Sequence, residues 1–320
     1  MGKAICFGIT CLDILVPGLD PSEFYKETIR LNDFSYSTGG DAINEAVTLA
    51  KLGHEPVLMT ALADDAMGRL LTDLGRARGV NMDHVKKART HQTAVSIVCV
   101  HRDGERNFIV NDGSDNEIGE DTADWDAAKD AGVFCVGSAY GAKGLTESLP
   151  AVLKRAKELG LTICVDIMIG SEYVGKESEA DPAAFLRYAD YIFPNQSEAR
   201  WMTGETDPDA MAEKLLAMGA GCVVLKDGEN GCCLYRKPNH GDGGVIGKVF
   251  VPAVRCEVVD TTGAGDNFLA GFTAGLLEGK SDEDCAKLAT ATASASVRYL
   301  GAAGLKDRAE VEEILKEMRP

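Results

Sequence analysis

Two glycine turns, each running into a helix-like stretch, carry the residues of this chain whose types and spacing could do chemistry. The more informative is Asp260-Thr-Thr-Gly-Ala-Gly-Asp266, followed at once by Asn267-Phe-Leu-Ala-Gly-Phe-Thr-Ala-Gly-Leu-Leu, a run that reads as a helix. The glycines let the backbone fold tightly and bring the Gly263, Ala264 and Gly265 amides toward one point. A helix N-terminus adds roughly half a positive charge there, which makes an anion cradle. A carboxylate beside such a cradle would repel a phosphate that was merely bound. Asp266 makes sense if it accepts a proton from a hydroxyl that attacks a phosphoryl group held by those amides. The plain alternative is a glycine-rich turn with Asp as a helix cap. The full seven residues and the small-residue helix behind them favour phosphoryl chemistry.

The second turn is Thr38-Gly39-Gly40-Asp41-Ala42-Ile43-Asn44-Glu45-Ala46. Its polar groups are neutral or acidic. Gly39 and Gly40 let a ligand approach the backbone, and Asn44 lies on the first helical turn, where its amide can both donate and accept. That suits a polyol hydroxyl better than a phosphate. Asp13, after Gly8-Ile-Thr-Cys-Leu, can add an acceptor for two neighbouring hydroxyls. Taken singly, each of these residues is equally at home in an ordinary turn or loop.

The elements that position these turns alternate along the chain. Short β-rich runs are read at Ala4 to Ile9, Val57 to Ala61, Val133 to Gly137, Thr162 to Asp166, Tyr191 to Pro194 and Cys222 to Lys226, with helical patterns between them. Ala42 to Leu52 and Gly68 to Arg78 read as helices ending at Gly53 and Gly79. This predicts an α/β fold with a doubly wound, mainly parallel sheet flanked by helices. Residues 12–37 and 93–111 alternate without helical period and read as a small antiparallel sheet projecting from the main body. From Ala264 to Met318 the chain reads as almost wholly helical, with Ala270, Gly271, Ala274 and Gly275 allowing close packing. The stretch from Lys237 to Gly247 reads as a hairpin loop.

Composition bounds the partners. The chain has 320 residues, 45% hydrophobic and 26% charged, with a formal net charge of -17. Non-specific binding to nucleic acid or to anionic membranes needs a basic footprint, which this charge argues against. A nucleotide ligand remains open, because backbone amides, a helix dipole and Mg²⁺ can reverse the field locally. The ten cysteines form no CxxC pair, and Cys99, Cys135, Cys164 and Cys222 stand in apolar runs, as buried thiols of a reducing compartment do. With no signal-like apolar core and no stretch approaching a membrane span, a cytoplasmic protein is expected. Neither a Walker A sequence nor a GxGxxG after the first strand is present, so phosphates must be held by another device and a dinucleotide oxidoreductase is set aside.

With both turns placed, the chain resembles the ribokinase-like (pfkB) sugar kinase family over essentially its whole length, as one domain spanning residues 1–320. Gly39-Gly40-Asp-Ala-Ile-Asn44-Glu-Ala46 is similar to that family's N-terminal signature and Asp260-Thr-Thr-Gly-Ala-Gly-Asp266 to its C-terminal one. The resemblance implies an ATP-dependent phosphotransferase in which Asp266 is the base and Gly263, Ala264 and Gly265 form the anion hole. It implies that Asp13, Gly39, Gly40 and Asn44 contact the sugar, under a lid built from the small sheet that also forms a homodimer contact. Pro194-Asn195-Gln-Ser-Glu198 is similar to the family's Asn-x-x-Glu motif, with Glu198 orienting Mg²⁺-bound water; its alternative is an acid in a first helical turn. Lys226-Asp-Gly228-Glu-Asn-Gly231 resembles the nucleotide loop, with Lys226 neutralising phosphate and Gly228 permitting close approach. The resemblance further implies a monovalent cation site, such as K⁺, at Asp260 and Thr262.

The acceptor is read from departures. Family members that act on phosphosugars tend to carry lysine after Gly-Gly, whereas this chain has Asp41. The strand ending at Asp166 continues Ile-Met-Ile-Gly170 and offers no arginine for a carboxylate or phosphate, although Arg89, Arg102 or Arg106 can reach the site from the lid. A neutral free sugar or polyol is therefore expected, with a nucleoside or a sugar acid as the alternatives and Phe34 and Tyr36 keeping the nucleoside open. A sugar-binding regulator without activity is the competing class, and the intact Asp266 with its glycines counts against it.

Overall fold

The computed structural model describes residues 1–19, 21–101, 106–177, 181–237, 247–302 and 304–318. The chain begins with β1 (Lys3–Phe7), β2 (Cys11–Pro17), β3 (Ser35–Gly39), α1 (Asp41–Lys51), β4 (Glu55–Met59), β5 (Ala61–Leu62), α2 (Ala66–Ala77) and β6 (Lys86–Lys87). It continues through β7 (Val95–Val100), β8 (Arg106–Asn111), α3 (Trp125–Ala128), β9 (Val133–Val136), α4 (Lys143–Glu158), β10 (Thr162–Asp166) and α5 (Ala183–Leu186). Then follow β11 (Tyr191–Phe193), α6 (Gln196–Thr203), α7 (Pro208–Met218), β12 (Cys222–Lys226), β13 (Gly231–Arg236) and β14 (Gly247–Pro252), and the helices α8 (Ala264–Leu277), α9 (Asp282–Ser296) and α10 (Arg308–Glu317). All six strands read from the sequence are present, with ends shifted by a residue or two.

Eight strands form one sheet in the order β14-β13-β12-β11-β10-β9-β1-β4. It is parallel from β4 to β12 and turns antiparallel at β13 and β14. Both faces are covered, so successive residues of one strand enter different cores: Ile5 and Phe7 of β1 pack on the side of α4 and α7, Ala4 and Cys6 on the side of α1 and α8. That two-sided burial is why the strands read as unbroken apolar runs. Cys99, Cys135, Cys164 and Cys222 are buried free thiols. The hairpin loop read from Lys237 to Gly247 joins the antiparallel strands β13 and β14, and residues 238–246 of it lie outside the described residues.

The small sheet has the order β3-β2-β7-β8 and differs from the wholly antiparallel one expected. Its outer pairs, β2–β3 and β7–β8, are antiparallel hairpins, but the central pair β2–β7 is parallel, with Leu12 opposite Val95. Both β2 and β7 leave the main body in the same direction, each after a strand or turn of that body, and so must run side by side the same way.

Helices α1 and α8 are buried for most of their length, from Ala42 to Leu49 and from Asp266 to Gly275. A Cβ at Gly271 would lie 2.7 Å from Thr292 Oγ1 and one at Gly275 2.8 Å from Cys285 Sγ, so the small residues of α8 let α9 approach closely. Before α1, Gly40 adopts φ 88°, and a Cβ there would lie 2.7 Å from both the Ile9 carbonyl oxygen and Thr10 Cα. Gly53 shares the same φ but has open space around it. Gly53→Ala should therefore cost about 1 kcal/mol for the left-handed backbone alone, and Gly40→Ala at least about 1 kcal/mol more. Urea denaturation of the two variants checks this; an equal or smaller loss at residue 40 would contradict the close approach.

Candidate functional site

The two motifs meet at the start of α1 and α8. Asn44 donates its side-chain amide to Asp266 Oδ2 at 2.8 Å across 222 residues of sequence, and both side chains are buried. One turn further on, Thr48 Oγ1 donates to Asn267 Oδ1 at 2.8 Å, and Asn267 Nδ2 donates to the carbonyls of Gly263 and Ala302, each at 2.7 Å. Asn267 thus ties the turn before α8 to α1 and to the segment after α9. Thr48 and Asn267 are not singled out by the sequence; their signal is a polar residue within two positions of a motif, in an otherwise largely apolar helix.

Gly263 holds the turn open, with φ 71° and a would-be Cβ 2.6 Å from the Ala302 carbonyl oxygen. The Ala264 amide donates to the Thr261 carbonyl at 3.2 Å, and the first bond of the helix proper is from Asn267 to Gly263. The Gly265 and Asp266 amides belong to the first turn, where an α-helix supplies no acceptor. Lys226 Nζ lies 3.3 Å from where a Gly265 side chain would begin, so glycine at 265 leaves that cation facing the turn. Burial, with Asp41 and Asp166 nearby, holds the Asp266 carboxyl well above the usual carboxylate range, against Asn44 and Lys226, which pull it down.

The residues expected to read a hydroxyl lie on the side of the small sheet. Asp13 on β2 stands over Gly39 so closely that a Cβ at residue 39 would overlap its carboxylate. Burial pushes Asp13 up to about 6, while the Cys11 thiol donates to it at 3.5 Å. Asn44 Oδ1 and Thr10 Oγ1 are buried with no hydrogen-bond partner among the described residues, and so offer unused polar atoms. Asp41 accepts the Ser138 hydroxyl and is also pushed up to about 6, chiefly by burial. Ser138 follows β9 in a left-handed conformation, φ 68°, and is fully buried. It was missed in the sequence, where its position just past a parallel strand's carboxyl end was the available signal. Glu45, beside Asn44, is fully buried with neither carboxylate oxygen bonded among the described residues, and burial pushes its carboxyl far up.

The loop residues gather around Lys226. Its ammonium donates to both carboxylate oxygens of Asp166, at 2.7 and 2.8 Å. Burial alone would lower the lysine, but Asp166 and Glu198 outweigh it and the net shift is upward, so it is a fixed cation. A backbone bridge between Asn195 and Lys226 sets the Asn195–Glu198 segment alongside. Asn195 and Glu198 form a capping box, in which Asn195 Oδ1 accepts the Glu198 amide at 2.9 Å and Glu198 Oε2 accepts the Asn195 amide at 2.7 Å. Glu198 thus caps α6, the plainer of its two readings, and burial pushes its carboxyl up to about 7. Gly228 has φ 53° and open space on its Cβ side, so what calls for glycine within the chain itself is the left-handed backbone. At Gly231 a Cβ would lie 2.2 Å from the Val251 carbonyl oxygen.

Asp260 is engaged on every side. Oδ1 accepts the Thr262 amide at 2.7 Å, Oδ2 accepts the Gly301 amide at 2.8 Å, and the Arg106 guanidinium of β8 donates to Oδ1. Burial would raise Asp260, but these partners hold it below the usual range. Of the arginines near the lid, Arg106 reaches the site, Arg89 is exposed on a loop bonded to Glu117, and Arg102 lies outside the described residues. Among the described residues no three His, Cys, Asp or Glu side chains are grouped as a metal site, and no helix is long and apolar enough to cross a membrane.

The arrangement joins a buried carboxylate, an amide turn, a fixed cation and further buried polar groups at the carboxyl ends of the parallel strands. Residues 1–308 match the pfkB family carbohydrate kinases. The ribokinase of Arabidopsis thaliana is 31% identical over 307 residues, covering 91% of this chain and 75% of the relative. Probable fructokinase-5 of Arabidopsis thaliana is 28% identical, covering 82% and 81%. Among solved structures, Arabidopsis thaliana ribokinase complexed with ribose and ATP superposes with a TM-score of 0.81 at 28% identity, covering 98% of each chain. Adenosine kinase of Sinorhizobium meliloti gives 0.80 at 26% identity, again covering 98% of each. The chain belongs to the pfkB family and is a ribokinase-like carbohydrate kinase, an ATP-dependent phosphotransferase.

Proposed function

We propose that this kinase transfers the γ-phosphoryl group of ATP to a hydroxyl of a neutral free sugar or polyol, with Asp266 as the base. The observation that carries the reading is the buried Asn44–Asp266 contact, which puts a hydroxyl-reading amide and a proton acceptor on one point beside the 263–266 turn. The acceptor hydroxyl lies against Asp13, Asn44 and the Gly39–Gly40 backbone, and its proton passes to Asp266 Oδ as its oxygen attacks phosphorus. The first-turn amides of α8 and the Lys226 ammonium take up the charge that develops on the transferred group. Lys226 is suited to that by its burial and by its position facing Gly265. Mg²⁺, bound with the nucleotide, would neutralise phosphate charge, and Glu198 with Asp166 forms a hard-oxygen set suited to holding its water. Asn195, Gly228 and Gly231 shape the nucleotide side of that cleft.

Charge supports the neutral acceptor. Asp13, Asp41 and Asp266 border the pocket, Lys226 is paired with Asp166, and Arg106 is paired with Asp260. Lys226 and Arg106 are thus each committed to an acid of this chain rather than to an acceptor's own carboxylate or phosphate, and Arg78, bonded to Thr38 Oγ1, is the further cation near the Gly39–Gly40 turn. The small sheet also leaves apolar side chains about half exposed at both of its edge strands, Phe34 and Tyr36 at β3 and Phe108, Ile109 and Val110 on β8. We read this sheet as the contact of a homodimer, and a solution mass of two chains by light scattering is expected; a single-chain mass would remove the lid contact.

The acceptor is tested by ADP release across free hexoses, pentoses, polyols, sugar acids, phosphosugars and nucleosides. A neutral sugar or polyol should give the highest kcat/KM, and a preference for sugar acids or phosphosugars would sink the neutral reading. Asp266→Asn keeps the shape and loses the base, so kcat should fall on the order of 10²-fold or more with ATP binding retained. Near-normal turnover would take Asp266 out of the chemistry. The base must be ionised to act, and its pKa is raised, so activity is lost as pH falls through a range above the ordinary carboxylate one. The acid limb of kcat/KM is therefore expected above the ordinary carboxylate range, and Asp13 and Asp41, at about 6, take up protons as pH falls through it. Full activity down to about pH 4.5 would contradict it.

A further inference from the structure

The family resemblance implies a monovalent cation at Asp260, and the residues present do not fit one. Asp260 is 6% exposed and its two oxygens already accept the Thr262 amide, the Gly301 amide and the Arg106 guanidinium. A carboxylate accepts only about four hydrogen bonds, and the single negative charge is already balanced by a group that carries a permanent positive one. A K⁺ ion added there would face a guanidinium at contact distance in a largely desolvated corner, where like charges repel more strongly than in water.

We propose that Arg106 takes the place of that cation: a lid residue supplies, from within the chain, the positive charge beside the turn that ends in Asp266. The step rests on the kinase reading and concerns a positioning residue, since Arg106 touches Asp260 and not the reacting atoms.

The geometry couples two events. Asp260 opens the seven-residue turn whose last residue is Asp266, and its bonds to Thr262 and Gly301 brace that turn from inside and from the segment after α9. Arg106 is the first residue of β8, paired with Val100 of β7, so its backbone belongs to the lid. When the lid stands where it does here, Asp260 is neutralised and braced. When the lid moves off, the guanidinium leaves with it and an unpaired carboxylate remains against a turn that must attract phosphate. Lid position and the field at the turn are therefore set by one contact, between residues 154 apart in sequence. A diffusible ion would not depend on the lid in this way.

The test compares wild type, Arg106→Gln and Arg106→Lys in KCl and in tetramethylammonium chloride at equal ionic strength. Wild-type melting temperature should agree within about 1 °C between the two salts, because no specific K⁺ binding adds stability. Turnover on the best acceptor of the panel should agree within about twofold, and Arg106→Gln should lower kcat by about tenfold or more while acceptor KM changes less than about threefold. Arg106→Lys, which keeps the charge, should recover a large part of kcat. A K⁺-specific rise in wild-type melting temperature of more than about 3 °C would overturn the proposal, and so would an Arg106→Gln kcat within about twofold of wild type. An effect of Arg106→Gln confined to KM for acidic acceptors would also overturn it, by making Arg106 a substrate ligand. If no acceptor supports turnover in wild type, the kinase reading fails instead, and the melting comparison alone decides the cation.

Discussion

Two helices that start at the carboxyl ends of strands, and are buried almost all round, have to satisfy polar groups where they touch. The contact between α1 and α8 does this with Asn44 on Asp266 and Thr48 on Asn267, and Asn267 then bonds two carbonyls of the surrounding turns. Each bond is buried, so leaving any partner unmatched costs more than the bond itself is worth. The pairing fixes the rotation and sliding of one helix on the other. It therefore fixes the distance between a group that reads a hydroxyl and the group that would take its proton. The eight-stranded sheet, the close approach of α9 at Gly271 and Gly275, and the bend at Gly263 all serve to hold that pair of helix ends in place.

Electrostatically, the site is a small region of managed positive field in an acidic protein. Asp13, Asp41, Asp166, Glu198 and Asp266 crowd its walls, and burial shifts the pKa of four of them upward. Lys226 and Arg106 each close onto one acid, at opposite sides of the 260–266 turn. Strongly shifted groups gathered at strand ends are a frequent mark of acid–base chemistry, and here they coincide with the helix start that can hold an anion.

Much of this was legible in the residues. The strands, α1, α2 and the closely packed small residues of α8 follow from apolar runs, caps and glycines, because those signals are local. The two turns were legible for the same reason: glycine at 40 and 263 is forced by backbone approach, not by composition. What escaped was non-local or neutral in type. Ser138, Asn267 and Thr48 are common polar residues whose meaning comes only from what lies opposite them. The parallel pairing of β2 with β7 depends on which way two distant segments leave the sheet, and alternation alone carries no direction. Asp166 read as a strand end without an arginine, when its part is to hold Lys226.

That parallel pair has a consequence for how the molecule forms. A hairpin can zip from its own turn, but β2 and β7 cannot meet until β3, α1, β4, β5, α2 and β6 between them have been laid down, and the Asn44–Asp266 bond waits for most of the chain. Contacts of such long sequence separation must first overcome loop-closure entropy. The lid and the helix pair beneath it are therefore late products of folding, and an unfinished chain has the strands of this protein without any of its chemistry.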